Sequence, residues 1–163
     1  MAFASLCNVS AEESIPSPDE LLAEIPLSSS QKAFVQRSRK SVEAILDGRD
    51  DRLLMIVGPC SIHSEQSAYA YAERFARLAE EVSDRFFLVM RAYMEKPRTC
   101  GGWKGLIFDP DLNGSNNMSK GLSLSRKILI ELTESQIPLG CEFLEINTSL
   151  FFSDAITWGC VGA

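Results

Sequence analysis

The stretch that decides the fold reads FFLVMRAYMEKPRTCGGWK and spans residues 86–104. Its first five residues are apolar with no polar alternation, which predicts a strand buried on both faces. Residues 91–104 then carry four cations in a chain whose net charge is −6; these cations are Arg91, Lys96, Arg98 and Lys104. Pro97 stiffens the backbone between two of them, and Gly101 and Gly102 allow a sharp turn. We therefore predict a loop of fixed cations at the C-terminal end of a buried strand.

The cation loop has two interpretations on residue chemistry alone. Guanidinium and ammonium groups fixed at a strand end suit a small, multiply charged anion such as a phosphorylated metabolite. Alternatively, the loop lies on the surface and forms salt bridges with the surplus Asp and Glu side chains. The residue pattern leaves both interpretations open.

Similar segments flank this stretch on both sides. Wholly apolar or largely apolar runs predict three more strands, at 53–57, at 139–144 and from Gly159 onward; helical periodicity predicts helices at about 66–82, at about 122–135 and, shorter, near 149–155. Alternating strands and helices are typical of a parallel α/β sheet, either doubly wound or half of a (β/α)8 barrel. Because no Gly-x-Gly-x-x-Gly follows a strand, a dinucleotide-binding fold is disfavoured.

The N-terminal third is predicted to be helical. Ser17-Pro18-Asp19-Glu20 has the pattern of a capping box that opens a short helix. A second helix is predicted from about Ser30 to Asp47, with Gly48 at its C-terminal cap. Residues 1 to about 15 are predicted to form an irregular arm. We therefore divide the chain into an N-terminal extension, residues 1–50, and a barrel-forming part, residues 51–163.

Composition excludes several classes of protein. The 163 residues, 45% hydrophobic and 23% charged, fit one globular domain. The acidic balance argues against nucleic acid or an anionic membrane as a partner, and no apolar run is long enough to span a membrane. Five dispersed cysteines without a Cys-x-x-Cys pair suit reduced thiols. These features predict a cytoplasmic protein, and the end of the chain within a strand candidate predicts an N-terminal portion of a longer chain.

Four further residues could carry chemistry. Cys60 follows the first strand directly, where a thiolate could bind a divalent metal or act as a nucleophile; alternatively it is a small buried filler. Glu142 in the third strand could orient a cation or a water, or merely pair with a lysine. Asp109 and Asp111 could bind a metal, but Asp-Pro-Asp, Asn113-Gly114 and Asn116-Asn117 are more economically turn signals.

Five motifs occur together in one order: Gly-Pro-Cys-Ser-Ile-His, Met-Arg-x-Tyr-x-Glu-Lys-Pro-Arg-Thr, Gly-Trp-Lys-Gly-Leu, Gly-x-Glu-Phe-Leu and Trp-Gly-x-Val-Gly-Ala. From about Ser17 to Ala163 the chain closely resembles the class I 3-deoxy-D-arabino-heptulosonate 7-phosphate (DAHP) synthases. The resemblance implies a (β/α)8 barrel with an N-terminal helical extension, of which about the first four strands are present. It also implies condensation of phosphoenolpyruvate with erythrose 4-phosphate, with release of phosphate, at the start of the shikimate pathway.

The resemblance also implies roles for individual residues. Cys60 would be one of four ligands of a divalent metal ion (Mn, Fe, Co, Zn or similar), and the other ligands would be missing from this chain. Lys96 would lie between the two substrates as the catalytic lysine. The implied substrate contacts are Arg91, Lys96, Pro97, Arg98, Thr99, Glu142 and Ala163. A related family that acts on arabinose 5-phosphate is a weaker match at Lys-Pro-Arg-Thr.

A chain with only part of that site is expected to be inactive alone. The alternative to an enzyme is a non-catalytic regulatory or oligomerisation module that binds an aromatic amino acid. In the resembled family such an effector and a homo-oligomer, dimer or tetramer, are expected for the parent enzyme.

Overall fold

The computed structural model describes residues 14–98 and 100–162. A four-stranded parallel sheet, ordered β1-β2-β3-β4, forms its centre. The elements in chain order are α1 (Pro18–Glu24), α2 (Ser29–Leu46), β1 (Leu53–Val57), α3 (Glu65–Glu81), β2 (Phe86–Arg91), α4 (Met118–Glu134), β3 (Leu139–Phe143), α5 (Ser149–Phe152) and β4 (Trp158–Val161). Short 3-10 turns flank α5, at Ile146–Thr148 and Ser153–Ala155. This repeated strand–helix order confirms the predicted α/β fold with about four barrel strands.

The two helices of the N-terminal extension begin where their capping residues lie. Ser17 accepts a hydrogen bond from the Glu20 amide, and the Glu20 carboxylate accepts one from the Ser17 amide. This reciprocal capping box confirms the prediction for α1. In α2 Ser28 and Gln31 form the same pair, so the helix begins one residue before the predicted Ser30.

The sheet register places the ends of neighbouring strands side by side. In β1 and β2, Val57 pairs with Met90, and in β2 and β3, Arg91 pairs with Gly140. Glu142 in β3 pairs with Cys160 in β4. The C-terminal ends of the strands therefore meet at one edge, as parallel pairing requires.

Helix α4 begins about one turn earlier than the periodicity predicted. The side chain of Asn117 caps it by accepting a hydrogen bond from the Lys120 amide. Gly121 fits this first turn because a Cβ atom there would lie 2.0 Å from the Ile107 carbonyl oxygen. Asn117 is therefore a helix cap, whereas the sequence pattern suggested a turn.

The prediction that β1 is wholly buried is wrong. Leu53 is 63% exposed and Met55 40% exposed, while the intervening side chains are half-buried. β1 lies at the edge of the sheet and only one of its faces packs against helices, so its alternate side chains remain uncovered. Val161 in β4, the other edge strand, is 71% exposed. The two inner strands carry the buried core, including Val89, Met90 and Leu139.

A buried arginine joins the end of α1 to α4 and α5. Arg126 in α4 is 1% exposed and donates hydrogen bonds to the carbonyl oxygens of Ile25 and Phe151. It also forms two hydrogen bonds with the carboxylate of Asp154, at 2.9 and 3.0 Å. These contacts fix the end of α1 against α4 and α5. None of the helices in the described part of the chain is long and apolar enough to cross a membrane.

Candidate active site at the C-terminal end of the sheet

The loops after β1 and β2 are held together by backbone contacts. The amide of Ile62 donates a hydrogen bond to the Tyr93 carbonyl oxygen at 2.8 Å. A Cβ atom on Gly58 would lie 2.9 Å from both the amide nitrogen and the Cβ of Arg91. Glycine at position 58 therefore allows the backbone after β1 to approach Arg91 closely.

The loop after β2 is closed by its own backbone. The amide of Lys96 donates a hydrogen bond to the Lys104 carbonyl oxygen at 2.9 Å. Gly105 has a φ of +113° and lies close to the backbone of the residues that follow β2. A Cβ atom at this position would be 2.3 Å from the Met94 carbonyl oxygen. The indole of Trp103 donates to the Asp109 carbonyl oxygen at 2.8 Å. These contacts fix the backbone on both sides of the cations.

Cys60 lies among three of these cations. The ammonium group of Lys96 lies 2.5 Å from the Cys60 sulfur, and the thiol is exposed. This hydrogen bond, with the charge of Lys96 and smaller contributions from Arg91 and Arg98, lowers the pKa of Cys60. The interpretation of Cys60 as a buried filler is therefore wrong. An exposed thiol with a lowered pKa suits metal binding or nucleophilic chemistry.

The cations of residues 91–104 form no ion pair with any carboxylate in residues 14–98 and 100–162. Arg91 is half-buried, its guanidinium carbon lies 4.2 Å from the centre of the Tyr93 ring, and its buried Nε has no partner among the described residues. Arg98 donates a hydrogen bond to the adjacent Pro97 carbonyl oxygen at 3.1 Å. Among the described residues, the interpretation of this loop as a surface loop held by salt bridges is therefore wrong.

A cavity of about 270 Å³ lies beside this loop. Its lining combines three cations with the end of β3: Glu95, Lys96, Pro97, Arg98, Lys104, Phe108, Leu144 and Glu145. A larger cavity of about 500 Å³ lies between α3 and α4, but its lining contains none of the sequence-predicted site residues. The three cations of the smaller cavity suit a phosphorylated ligand, and two acidic side chains, Glu95 and Glu145, lie in the same lining.

The remaining predicted residues fall in different places. Glu142 is half-buried in β3, and a Cβ atom on Gly162 would lie 2.7 Å from its Oε1. It pairs with no lysine among the described residues. Pro97 is exposed in the loop. Thr99 and Ala163 lie outside the described residues.

Within residues 14–98 and 100–162, no three His, Cys, Asp or Glu side chains lie close enough together to hold a metal ion. Cys60 would supply one ligand, and His63 is exposed on the same loop. Asp109 instead accepts a hydrogen bond from the Gly114 amide at 3.0 Å, and Asp111 pairs with Lys120. Asp109 therefore stabilises a turn, as the simpler interpretation predicted, and Asp111 pairs with a lysine of α4. The described residues therefore offer part of a metal site and not a complete one.

Two residues of this region were not singled out by the sequence pattern. Tyr93 stacks on Arg91, and the two share one side of the chain because they are two positions apart. Burial raises the pKa of Tyr93, and the neighbouring Cys160 adds to this shift. Glu95 is only 4% exposed although it precedes Lys96. The sequence feature that could have identified Glu95 as part of this region is its position as an acidic residue within an apolar and basic stretch.

Comparison with known proteins places this geometry in a family. The model of the DAHP synthetase I family matches residues 24–163. The chain belongs to that family. It is 47% identical over 156 residues to the Tyr-sensitive phospho-2-dehydro-3-deoxyheptonate aldolase of Escherichia coli (strain K12), covering 96% of this chain and 44% of the relative. It is also 47% identical over 151 residues to the Trp-sensitive aldolase of the same organism, covering 93% of this chain and 43% of that relative.

A solved structure supports the same assignment. The phospho-2-dehydro-3-deoxyheptonate aldolase of Francisella tularensis superimposes with a TM-score of 0.90 at 41% identity, covering 96% of this chain and 46% of that one. This DAHP synthetase I chain therefore spans somewhat less than half the length of the relatives it matches. The predicted family and the predicted α/β barrel pattern are confirmed.

Proposed function

We propose that this chain supplies the anion-binding part of a DAHP synthase active site. The complete enzyme would condense phosphoenolpyruvate with erythrose 4-phosphate and release phosphate. The observation that carries the proposal is the set of cations around Cys60, namely Arg91, Lys96 and Arg98, none of which is neutralised by a carboxylate of the described residues. The names of the relatives support this choice over a synthase that uses arabinose 5-phosphate.

The reaction requires two phosphorylated anions to approach each other. Fixed cations offset their mutual repulsion and hold them in a reactive orientation, and this accounts for much of the catalysis. In our proposal Arg91, oriented by the Tyr93 ring, binds the phosphate or carboxylate of phosphoenolpyruvate. Lys96 lies between the substrates and acts as the catalytic lysine. Arg98 and Thr99, with Pro97 shaping the loop, would contact erythrose 4-phosphate.

Further residues complete the proposed site. Glu142 would lie near the phosphoenolpyruvate position, and Ala163 would contribute a backbone contact. Cys60 would be one ligand of a divalent metal ion, which in such a site polarises a carbonyl oxygen.

The parent enzyme is proposed to be a cytoplasmic homo-oligomer regulated by an aromatic amino acid. The support is that two relatives are named Tyr-sensitive and Trp-sensitive. Calorimetric titration of the chain with Phe, Tyr and Trp tests whether residues 1–163 bind such an effector. Saturable binding of one of them without binding of phosphoenolpyruvate would favour the non-catalytic module instead. We also propose the division into an extension, residues 1–50, and a barrel part, residues 51–163.

The proposed activity can be tested in a chimaera. The chain is joined to the remaining part of the Escherichia coli Tyr-sensitive relative, and phosphate release from the two substrates is measured. Activity that is lost in the Lys96→Met chimaera and retained in a Lys32→Met chimaera would support the proposal. Full activity of the Lys96→Met chimaera would refute the catalytic role of Lys96.

A further inference from the structure

Glu95 lies between the cation loop and the end of β3. Its side chain is 4% exposed, and it lines the 270 Å³ cavity together with Lys96, Arg98 and Lys104. Buried acidic residues are rare unless they are paired. Glu95 has no ion pair among the described residues. Its burial therefore requires another explanation.

One carboxyl oxygen of Glu95 joins two segments that are far apart in sequence. Oε2 accepts hydrogen bonds from the Leu144 amide at 3.1 Å and from the Thr148 hydroxyl at 3.0 Å. The Thr148 hydroxyl also lies 2.6 Å from the Glu145 carbonyl oxygen, so its one proton is shared between the two acceptors. Leu144 directly follows β3, and Thr148 ends the 3-10 turn before α5. The contact thus connects the loop after β2 to the loop after β3, across about fifty residues of chain.

The second oxygen differs from the first. Oε1 is buried and has no hydrogen-bond partner among the described residues. An ionised carboxylate with one unpartnered buried oxygen is costly, whereas a carboxylic acid keeps Oε2 as an acceptor and carries no charge. Burial raises the pKa of Glu95. Hydrogen bonds from the Leu144 amide, the Thr148 hydroxyl and the Glu145 backbone oppose this rise, and the negative charge of Glu145 adds to it.

We propose that Glu95 is a positioning residue for the anion site, holding the loop of Lys96 and Arg98 against the end of β3 through Leu144 and Thr148 without placing a negative charge beside the bound anion. The inference rests on the proposed anion-binding function. It adds a residue that touches no substrate but fixes the two cations that do. A flexible loop would bind the same anion more weakly, because its ordering would cost binding free energy.

Conservative and disruptive variants of Glu95 and Thr148 distinguish a role in positioning the cations from a role in folding stability alone. Glu95→Gln keeps an acceptor oxygen and resembles the neutral acid, whereas Glu95→Ala removes the acceptor and Glu95→Asp shortens its reach. Thr148→Val removes one donor and Thr148→Ser retains it. We expect Glu95→Ala, Glu95→Asp and Thr148→Val to lower anion affinity about fivefold or more, and Glu95→Gln and Thr148→Ser to stay within about twofold of the unaltered chain.

The probe is sulfate, whose charge is constant between pH 5 and pH 8. Calorimetric titration of the 163-residue chain gives the affinity, and urea unfolding gives the folded fraction used to correct it. A variant that loses stability but keeps its corrected sulfate affinity would overturn the positioning role. If the unaltered chain binds no sulfate, the proposed function and this inference both fail. If it binds sulfate and all variants bind equally, only this inference fails.

The pH profile gives a second readout that a purely structural role would not change. As the pH rises through the raised pKa of Glu95, its ionisation would weaken sulfate binding. The other charged groups lining the cavity are Lys96, Arg98, Lys104 and Glu145, and the thiol of Cys141 lies near the carboxyl group. All of them are also present in Glu95→Gln. We therefore expect sulfate affinity to fall more steeply between pH 5 and pH 8 in the unaltered chain than in Glu95→Gln; parallel profiles would contradict the neutral form.

Discussion

Gly105→Ala tests whether close backbone packing holds the cation loop in place. A Cβ atom at this position would lie 2.3 Å from the Met94 carbonyl oxygen and 2.7 Å from the Cα of Glu95. Ordinary contacts of this kind are ~3.4 Å or longer, so the loop would have to move by roughly 1 Å. Overpacking of this degree costs about 1–3 kcal/mol, and the φ of +113° adds about 1 kcal/mol or more for alanine.

Gly101→Ala is the matched control in the same loop. Gly101 also has a positive φ, +74°, but a Cβ atom there would meet nothing within 4 Å. It should therefore lose only the conformational part, about 1–2 kcal/mol. The difference between the two variants isolates the close contact with Met94 and Glu95.

Urea unfolding and sulfate titration together measure this difference. We expect Gly105→Ala to lose about 1–3 kcal/mol more free energy of unfolding than Gly101→Ala. We also expect its sulfate affinity to fall, because Lys96 directly follows the displaced backbone. Equal stability losses in the two variants, or unchanged sulfate affinity in Gly105→Ala, would refute the claim that this packing positions the loop.

Three further predictions concern the buried arginine, the thiol and turnover. Asp154→Ala should lower the free energy of unfolding, measured by urea unfolding, by about 2–4 kcal/mol, because it leaves the buried Arg126 charge without a counterion. The control Glu73→Ala removes an exposed ion pair and should change the free energy of unfolding by less than about 0.5 kcal/mol. Similar losses in the two variants would contradict this prediction. Because the pKa of Cys60 is lowered, its thiol should react with iodoacetamide faster at neutral pH in the unaltered chain than in Lys96→Met, and the two rates should converge at alkaline pH. Mass spectrometry measures the rate of alkylation at Cys60. Identical rates at neutral pH would be inconsistent with the 2.5 Å contact between Lys96 and Cys60. The isolated 163-residue chain should release no measurable phosphate from phosphoenolpyruvate and erythrose 4-phosphate, and robust turnover would show that the described half-site is sufficient.

Local signals predicted much of the fold. The capping box at Ser17 and the glycine after α2 act through residues three or four positions away, so the sequence itself contains the whole interaction. The apolar run at 86–90 identified β2 because a strand covered on both faces needs no polar alternation. The same argument was wrong for β1, since exposure of Leu53 and Met55 depends on which neighbours the edge strand lacks.

The candidate site was predictable where residue chemistry is local and not where it depends on distant partners. The cations of residues 91–104 stand together in the chain and remain together in the structure. The approach of Lys96 to Cys60 joins two loops that are 36 residues apart. Glu95 depends on contacts 49 and 53 residues away, so its buried setting could not be inferred from its neighbours. The burial of Arg126 likewise depends on distant partners, because Ile25, Phe151 and Asp154 lie 25 to 101 residues away.

Calorimetric titration of the 163-residue chain with phosphoenolpyruvate tests the central claim most directly. Pyruvate, which lacks the phosphate group, is the matched ligand. We expect saturable binding of phosphoenolpyruvate, no detectable binding of pyruvate, and about tenfold or greater loss of phosphoenolpyruvate affinity in Lys96→Met and Arg91→Met. Equal binding of phosphoenolpyruvate by the unaltered chain and both variants would contradict the claim that these cations form a phosphate site.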